Sequence, residues 1–381
     1  MRLLFVTQDF PPDVGGIQTY SKELAPRLAA RCDRFLLLAP SRPGDEAVDA
    51  ALDVPVHRLP VRPDLLVLRA LPDIVRRTRH EPFDVALHVQ WQTAFASLLA
   101  RRLTGAPHRV AVTLHGKDTV FNPFHFPPLK WSYDALRRAG VGGADHVLPV
   151  SRFLGRRARE LGAAEETIEV VTNATNPEVF YPDPAPALRE ELGATDRPLV
   201  LSAGRLVPKK GFDTAIRALN RVRDEVPDVL LLIAGEGPER PFLQQLVRDL
   251  ELERHVHFLG SISQQELRHY YSEADVFLMA GRETTEDVEG FGLVYLEANA
   301  CGTPVVGARV GGVPDAVWDE ETGLLVPPDA PSATADALLR LLTAPDLARR
   351  LGERGRERVR TEANWDHVAD RMYTLLSREA A

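Results

Sequence analysis

Cysteine is nearly absent from this chain. Only Cys32 and Cys301 occur in 381 residues, too few and too poorly surrounded for a zinc site or a disulfide framework, and a reducing cytosol fits that usage. Long apolar runs are missing too: no stretch approaches the roughly 18 to 20 apolar residues that a spanning helix requires. The N-terminal run Leu3–Val6 stops at Thr7-Gln8-Asp9, too short for the apolar region of a signal peptide. A cytoplasmic protein, at most peripheral to a membrane, is therefore expected. Net positive charge is also lacking. A formal charge of -8 and a pI near 5.8 argue against a nucleic-acid binder, whose affinity for phosphates needs clustered cations. Arginine supplies nearly all the basic residues and lysine is scarce, so the adjacent pair Lys209-Lys210 in a glycine-flanked loop stands out.

With 44% hydrophobic residues the chain can bury two cores of ordinary domain size. Short apolar runs alternate with longer helical patterns, the signature of parallel sheets with crossover helices. In the first half, strands are expected at Leu3–Val6, Arg34–Leu38, Val85–His88, Val110–Leu114 and His146–Pro149. The second half restarts at Leu199–Ser202, followed by Val229–Ala234, Val256–Phe258, Val276–Met279, Pro304–Val306 and Leu324–Val326. Between them, 172–198 is rich in Pro, Asp and Asn and reads as a linker. Trp365, Val368, Ala369, Met372 and Leu375 or Leu376 trace an amphipathic last helix after an Arg-rich one. An α/β protein with two doubly wound domains follows.

The chemistry concentrates in DVEGFGLVYLEANACGTPVV (Asp287 to Val306), where Glu289 and Glu297 stand eight residues apart around a Gly-Phe-Gly helix entry. Gly290 and Gly292 permit close backbone approach, and the N–H groups of the helix they open can receive phosphate oxygens or sugar hydroxyls. Leu293, Leu296 and Ala300 at helical spacing pack on a core, so Glu297 needs a polar partner if buried. A second cluster, GRLVPKKG (Gly204 to Gly211), places Arg205 and Lys210 at the carboxyl end of a strand, where α/β sheets bind ligands. Two solvated loop cations would be the plainer account, and Lys209 is read as a solvated neighbour. The loop DFPPDVGGIQTY (Asp9 to Tyr20) carries Gly15-Gly16 at a strand-to-helix turn. It lacks both a third fingerprint glycine and a Walker lysine, which argues against nicotinamide or ATP. His115, in VTLHGKD, ends another strand. A lone strand-end histidine is more often structural than catalytic.

Taken together, these motifs resemble the Glu-x7-Glu element and companion loops of the retaining glycosyltransferases with the GT-B fold, glycosyltransferase family 4 type. That group includes phosphatidylinositol mannosyltransferases and sucrose and glycogen synthases, and the resemblance spans the whole chain. It implies two Rossmann-like doubly wound domains facing each other across a cleft. An acceptor-side domain would occupy 1–176 and a nucleotide-sugar domain 177–360, with a helix in 361–381 crossing back to the first. Glu289 then contacts the transferred sugar and Glu297 the nucleotide ribose, while Arg205 and Lys210 stabilise the departing diphosphate. Gly15 and Gly16 approach the donor, and His115 faces the transferred sugar. Gly204, Gly235 of GEGP, Gly260 after Phe258-Leu259, Gly290, Phe291, Gly292 and Leu293 complete the donor contacts. Gln18, Tyr20 and Asn173 are assigned to the acceptor. Ala174 stands where the family has glycine after Asn173, which puts close backbone approach there in doubt.

No Asp-x-Asp occurs anywhere in the chain, so neither a metal nor another cofactor is expected; Arg205, Lys210 and a helix N-terminus take over charge neutralisation. The resulting expectation is a retaining, metal-independent hexosyltransferase with a nucleotide-sugar donor and a hydroxyl acceptor such as a glycolipid or polysaccharide precursor. FPPDVGGIQTY and DVEGFGLVYLEANACG look closest to the phosphatidylinositol mannosyltransferase branch, which favours GDP-mannose over a UDP-sugar. Rival readings are a two-carboxylate glycoside hydrolase, a non-catalytic nucleotide-sugar sensor and an epimerase of the same fold, a group for which the two-Glu motif is not characteristic. Phe124, Phe126, Trp131 and Tyr133 beside Lys130, Arg137 and Arg138 suit peripheral membrane contact through the N-terminal domain, an acceptor lid or a packed loop.

Overall fold

The computed structural model describes residues 1–285 and 287–378, without the side chains of residues 64 and 67. Two compact units make up the chain: Met1–Asn173 with the segment from Trp365 onward, and Ala174–Asn364.

In the first unit the strands are β1 (Arg2–Val6), β2 (Arg34–Pro40), β3 (Val56–Leu59), β4 (Val85–His88), β5 (Arg109–Leu114) and β6 (His146–Pro149). Their order is β3-β2-β1-β4-β5-β6, with all pairs parallel. The second unit has β7 (Leu199–Ala203), β8 (Leu230–Ala234), β9 (Val256–Gly260), β10 (Val276–Met279), β11 (Val305–Ala308) and β12 (Gly323–Val326), also all parallel, in the order β12-β11-β10-β7-β8-β9. Counted from each unit's first strand, the two orders are the same doubly wound arrangement. Each sheet therefore reverses its winding at one place, between β1 and β4 in the first unit and between β7 and β10 in the second.

Helices cover both faces of such a sheet, so its inner strands read as continuous apolar runs. Leu3 through Val6 and Leu230 through Ile233 are almost wholly buried. Ile216, Leu219 and Val222 of helix Phe212–Glu225 pack with Leu231, Ile233 and Leu278, and Ala70, Ile74, Ala96 and Ala100 pack with Leu4 and Val6. Every expected strand is present to within a few residues. Strand β3 was not expected. It is an edge strand reading Val-His-Arg-Leu, and its identity comes from pairing with β2, Leu37 against Val56, rather than from an apolar pattern.

Helix Trp365–Ser377 returns to the first unit, as the resemblance implied. It buries Trp365, Val368, Ala369, Met372, Leu375 and Leu376 and packs on helix Gly16–Ala29. The Trp365 and Tyr20 rings meet edge to face at 5.6 Å, flanked by Arg27–Asp366 at 3.2 Å and Arg31–Asp370 at 2.7 Å. The Arg-rich helix before it, Pro345–Thr361, stays in the second unit, where Gly352 and Gly355 fit against Gly302 and Asn299. Truncating a buried tryptophan costs about 3–5 kcal/mol. Trp365→Ala should accordingly lower the stability of the first unit by that amount in urea unfolding followed by a first-unit probe; a loss below about 1 kcal/mol would show that the helix is not needed there.

Candidate functional site

Reversal of winding leaves a crevice beyond the carboxyl ends of two neighbouring strands, because their following loops turn to opposite faces. In the second unit these are the loop after β7, Gly204 to Gly211, and the loop after β10, which runs from Ala280 to Gly292. The two loops touch. A Cβ on Gly211, which has φ +68°, would stand 1.8 Å from the Ala280 carbonyl oxygen, so only glycine fits. That closeness brings Lys210 Nζ to 2.6 Å from Glu289 Oε2 and Lys209 Nζ to 2.9 Å from Asp287 Oδ2. Lys209, expected to be solvated, is instead ion-paired: its side chain is 16% exposed and Asp287, two residues before Glu289, gives it a partner. Burial pushes the Glu289 carboxyl up, but Lys210 and Lys209 outweigh it and hold the group below its ordinary value, so it is ionised. The Arg205 side chain is exposed and makes no hydrogen bond or ion pair among the described residues; only its backbone carbonyl is engaged, accepting from Val207 N–H at 2.9 Å. One cation of the crevice is thus uncommitted and two are neutralised by carboxylates.

Helix Leu293–Ala300 rises from the same loop. Gly292 precedes it at φ +97°, where a Cβ would meet the Tyr295 ring at 2.7 Å. No side chain caps the helix and no acid lies in its first turn, so its first N–H groups keep their capacity for an anion. Phe291 is 2% exposed and packs in the core, which leaves only its backbone to meet a ligand. Glu297 has the polar partner it needed. Tyr271, from helix Gln264–Glu273, donates its hydroxyl to Glu297 Oε2 at 3.0 Å. Burial pushes the Glu297 carboxyl up to about 7, against the opposing effects of the Tyr271 hydrogen bond and Lys210. Nothing in the spacing of the sequence pointed to Tyr271. Gly204, Gly235 and Gly260 adjoin the crevice, and backbone packing already accounts for one of them: a Cβ on Gly235, at φ +139°, would stand 1.9 Å from the Gly204 carbonyl oxygen, while its N–H bonds Gly260 at 2.7 Å.

At the corresponding crevice of the first unit, Asp9 after β1 and Gln90 after β4 are hydrogen-bonded, and Gln18 Nε2 donates to Asp9 Oδ1 at 3.1 Å. Gln18 is therefore tied back to its own loop. A Cβ on Gly15 would stand 2.5 Å from Gln18 Oε1, and the helix that opens at Gly16 has no side-chain cap. Tyr20 departs from its assignment to the acceptor. It is 2% exposed, with its ring 4.6 Å from that of His115 and its hydroxyl donating to Met372 Sδ at 3.6 Å, so it supports His115 from below.

The histidine itself follows β5. Thr113 has one hydroxyl hydrogen, and donates it to the Val89 carbonyl at 3.0 Å. Its oxygen must then accept from His115 Nε2 at 2.9 Å, which leaves Nδ1 as an acceptor. Burial pushes His115 down to about 3, so the imidazole is neutral at physiological pH. Backbone N–H groups of His115 and Gly116 both donate to Asp118 Oδ1, at 3.1 and 2.8 Å, fixing the turn. Asn173 is 7% exposed and its Oδ1 is buried without a hydrogen-bond partner, an acceptor that a donor group of a ligand would satisfy.

Residues 185–358 match the family described as Glycosyl transferases group 1, and residues 15–174 match the Glycosyl transferase 4-like domain. A GDP-mannose-dependent alpha-(1-6)-phosphatidylinositol monomannoside mannosyltransferase from Mycobacterium tuberculosis (strain CDC 1551 / Oshkosh) is 35% identical over 384 residues, covering 98% of this chain and 98% of the relative. The alpha-maltose-1-phosphate synthase of Mycolicibacterium smegmatis is 31% identical and covers 100% of both. Among solved structures, Anabaena HepE in complex with UDP shares the fold at a TM-score of 0.83 and 21% identity, over 99% of this chain and 100% of that one. Sucrose-phosphate synthase from Thermosynechococcus elongatus gives 0.78 at 26% identity, over 98% of each chain.

The state of Glu297 yields a pH signature. Its carboxyl group accepts from a ligand hydroxyl much more strongly when ionised, and with its pKa raised to about 7 the ionised form is present above pH 7 and lost below it. For a nucleotide ligand whose ribose hydroxyls bond this group, affinity by calorimetry should fall about tenfold from pH 8 to pH 6. Glu297→Gln should flatten that dependence; an unchanged slope in the variant would remove Glu297 from the binding site.

Proposed function

The chain belongs to the glycosyl transferases group 1 family, and from that premise we propose that it moves mannose from GDP-mannose to a hydroxyl of a glycolipid acceptor, with retention of anomeric configuration and without a metal. The glycosyltransferase class is what the family gives, and it displaces the hydrolase and sensor readings. The donor and acceptor rest on the names of the 35%-identical relatives. One geometric observation carries the mechanism: Lys210 and Glu289, from the two loops of the reversal crevice, meet at 2.6 Å, and the loop that carries Lys210 also carries Arg205, whose side chain is uncommitted.

When a nucleoside diphosphate enters, its phosphates compete with Glu289 for Lys210. Arg205 has no protein partner to give up. Both cations then meet the charge that grows on the departing phosphate oxygen as the glycosidic bond breaks, which is where fixed charges lower a barrier most. The released Glu289 carboxylate faces a sugar ring that becomes oxocarbenium-like, and stabilises its partial positive charge. The departing phosphate oxygen takes the proton of the acceptor hydroxyl as that hydroxyl attacks on the same face. His115, neutral and with Nδ1 free to accept, is assigned to a sugar hydroxyl, Glu297 to the ribose and Asn173 to the acceptor. Metal independence is supported by the missing Asp-x-Asp and by the Arg205 and Lys210 positions, which put cations where a metal would otherwise serve.

Arg205→Ala and Lys210→Ala should each lower kcat with GDP-mannose by roughly 100-fold or more, with smaller changes in KM. Near-normal turnover in both would defeat the clamp. In the same assay chelation should leave the rate unchanged, and NMR coupling should show the donor's anomeric configuration in the product; loss of activity restored by Mg²⁺ or Mn²⁺, or an inverted product, would overturn the respective part. For the donor, calorimetry should show GDP bound more tightly than UDP, and preference for UDP and its sugars would reject the mannosyl assignment alone.

A further inference from the structure

Four aromatic rings run edge to face through the core of the second unit. Phe180 meets Tyr271 at 6.0 Å between centroids, Tyr271 meets Phe277 at 5.4 Å, and Phe277 meets Tyr295 at 5.8 Å. Packing of this kind asks for ring area, which Phe180 and Phe277 supply without a hydroxyl. The two tyrosines each bury a hydroxyl as well, and satisfy it differently. Tyr295 donates to the Met279 carbonyl at 2.8 Å, an uncharged acceptor. Tyr271, 0% exposed, donates at 3.0 Å to Oε2 of Glu297, a group whose charge is costly to bury. A core hydroxyl that needed only an acceptor would not call for a carboxylate.

Tyr271 is also the fixed partner of that carboxylate. Its ring is flanked by Phe180 and Phe277, and the Thr303 hydroxyl donates to its carbonyl oxygen. Burial and the neighbouring carboxylate push the Tyr271 hydroxyl well above its ordinary value, so it keeps its single hydrogen to donate. Lys210 attracts Glu297 but is paired with Glu289, and a bound diphosphate would draw it away. Cys301, one turn on, is a neutral thiol because burial pushes it up to about 12, and it is this thiol that Arg268 and Arg356 influence. On the helices around it, Glu273 pairs with Arg189 at 2.8 Å, and Arg358 donates to the carbonyls of Ala316 and Asp315 at 2.6 and 2.7 Å. Strand β11, Val305–Ala308, carries no titratable side chain. Glu297 itself is less buried than Tyr271, and nothing among the described residues donates to its Oε1.

We propose that Tyr271 is a positioning residue for the nucleotide: its hydroxyl fixes Oε2 of Glu297 and reserves Oε1 for the ribose. The proposal rests on the assignment of Glu297 to the ribose made above, and adds the residue through which that carboxylate is aimed. A hydrogen bond donated to the ionised form favours it, so removing the hydroxyl raises the pH at which the carboxylate forms. Ribose binding then weakens near neutrality and returns at higher pH.

Carbon NMR of the full chain with carboxyl-labelled glutamate, without ligand, reads the carboxylate directly; the Glu297 signal is the one lost in Glu297→Gln. Its midpoint should lie at about 7. Tyr271→Phe keeps the ring and should move that midpoint up by about one pH unit or more, the size expected for one hydrogen bond to a charged group. Tyr295→Phe, which removes the other buried hydroxyl of the ring series, should leave it in place. By calorimetry, Tyr271→Phe should weaken GDP about fivefold at pH 7 and less at about pH 8.5, and should add nothing in the Glu297→Gln background. An unmoved midpoint in Tyr271→Phe, an equal shift in Tyr295→Phe, or the same loss of GDP affinity with and without the carboxylate would overturn the proposal. A moved midpoint with GDP affinity indifferent to Glu297→Gln would overturn the ribose contact instead, which keeps the two failures apart.

Discussion

The contact between Lys210 and Glu289 is the constraint on which the second unit's chemistry depends. Two oppositely charged groups, each about 15% exposed, occupy the place where the sheet reverses its winding. Either one alone at that depth would be costly, since removing one partner of a largely buried pair leaves the other's charge uncompensated. The pair in turn requires the loops after β7 and β10 to touch, and they touch because Gly211 has no side chain to collide with Ala280. Strand order, one glycine and two charges are thus linked causally.

The first unit reaches a comparable result through uncharged groups. Thr113, held by the Val89 carbonyl, sets the tautomer of His115, and Tyr20 covers the ring from the side of helix Trp365–Ser377. A neutral acceptor nitrogen results, rather than a pH-sensitive cation. Asp118 meanwhile holds two consecutive backbone N–H groups of the turn. Precise placement of a neutral group costs little desolvation compared with placement of a charge, which suits a residue expected to orient a sugar hydroxyl.

How much of this could be read from the sequence depended on the distance over which each feature is determined. Apolar runs bounded by turn residues marked every inner strand, because burial on both faces leaves a local imprint. Strand β3 left none, its His57 and Arg58 being tolerated at an edge. The motif residues Arg205, Lys210, Glu289 and Glu297 were recognisable from types and spacing, but their partners were not. Tyr271 lies 26 positions from Glu297, and the Lys209–Asp287 contact joins loops 78 positions apart. Such pairings are made by the fold rather than by any local pattern. Tyr20 illustrates the opposite error: proximity to a glycine loop suggested ligand contact, whereas the apolar face of its helix carries it under the returning helix.

That returning helix also sets a timetable for synthesis. Helix Gly16–Ala29 leaves the ribosome early, yet the surface around Tyr20 is not covered until residues 365–377 have been made. At ordinary elongation rates of about 5–20 residues per second, the roughly 190 residues from Asn173 to Trp365 take on the order of 10 to 40 s. Through that interval the first unit has its sheet but lacks one wall of its core, while all the material of the second unit is delivered inside the gap. The nascent chain therefore carries an apolar patch that only its own last helix can close.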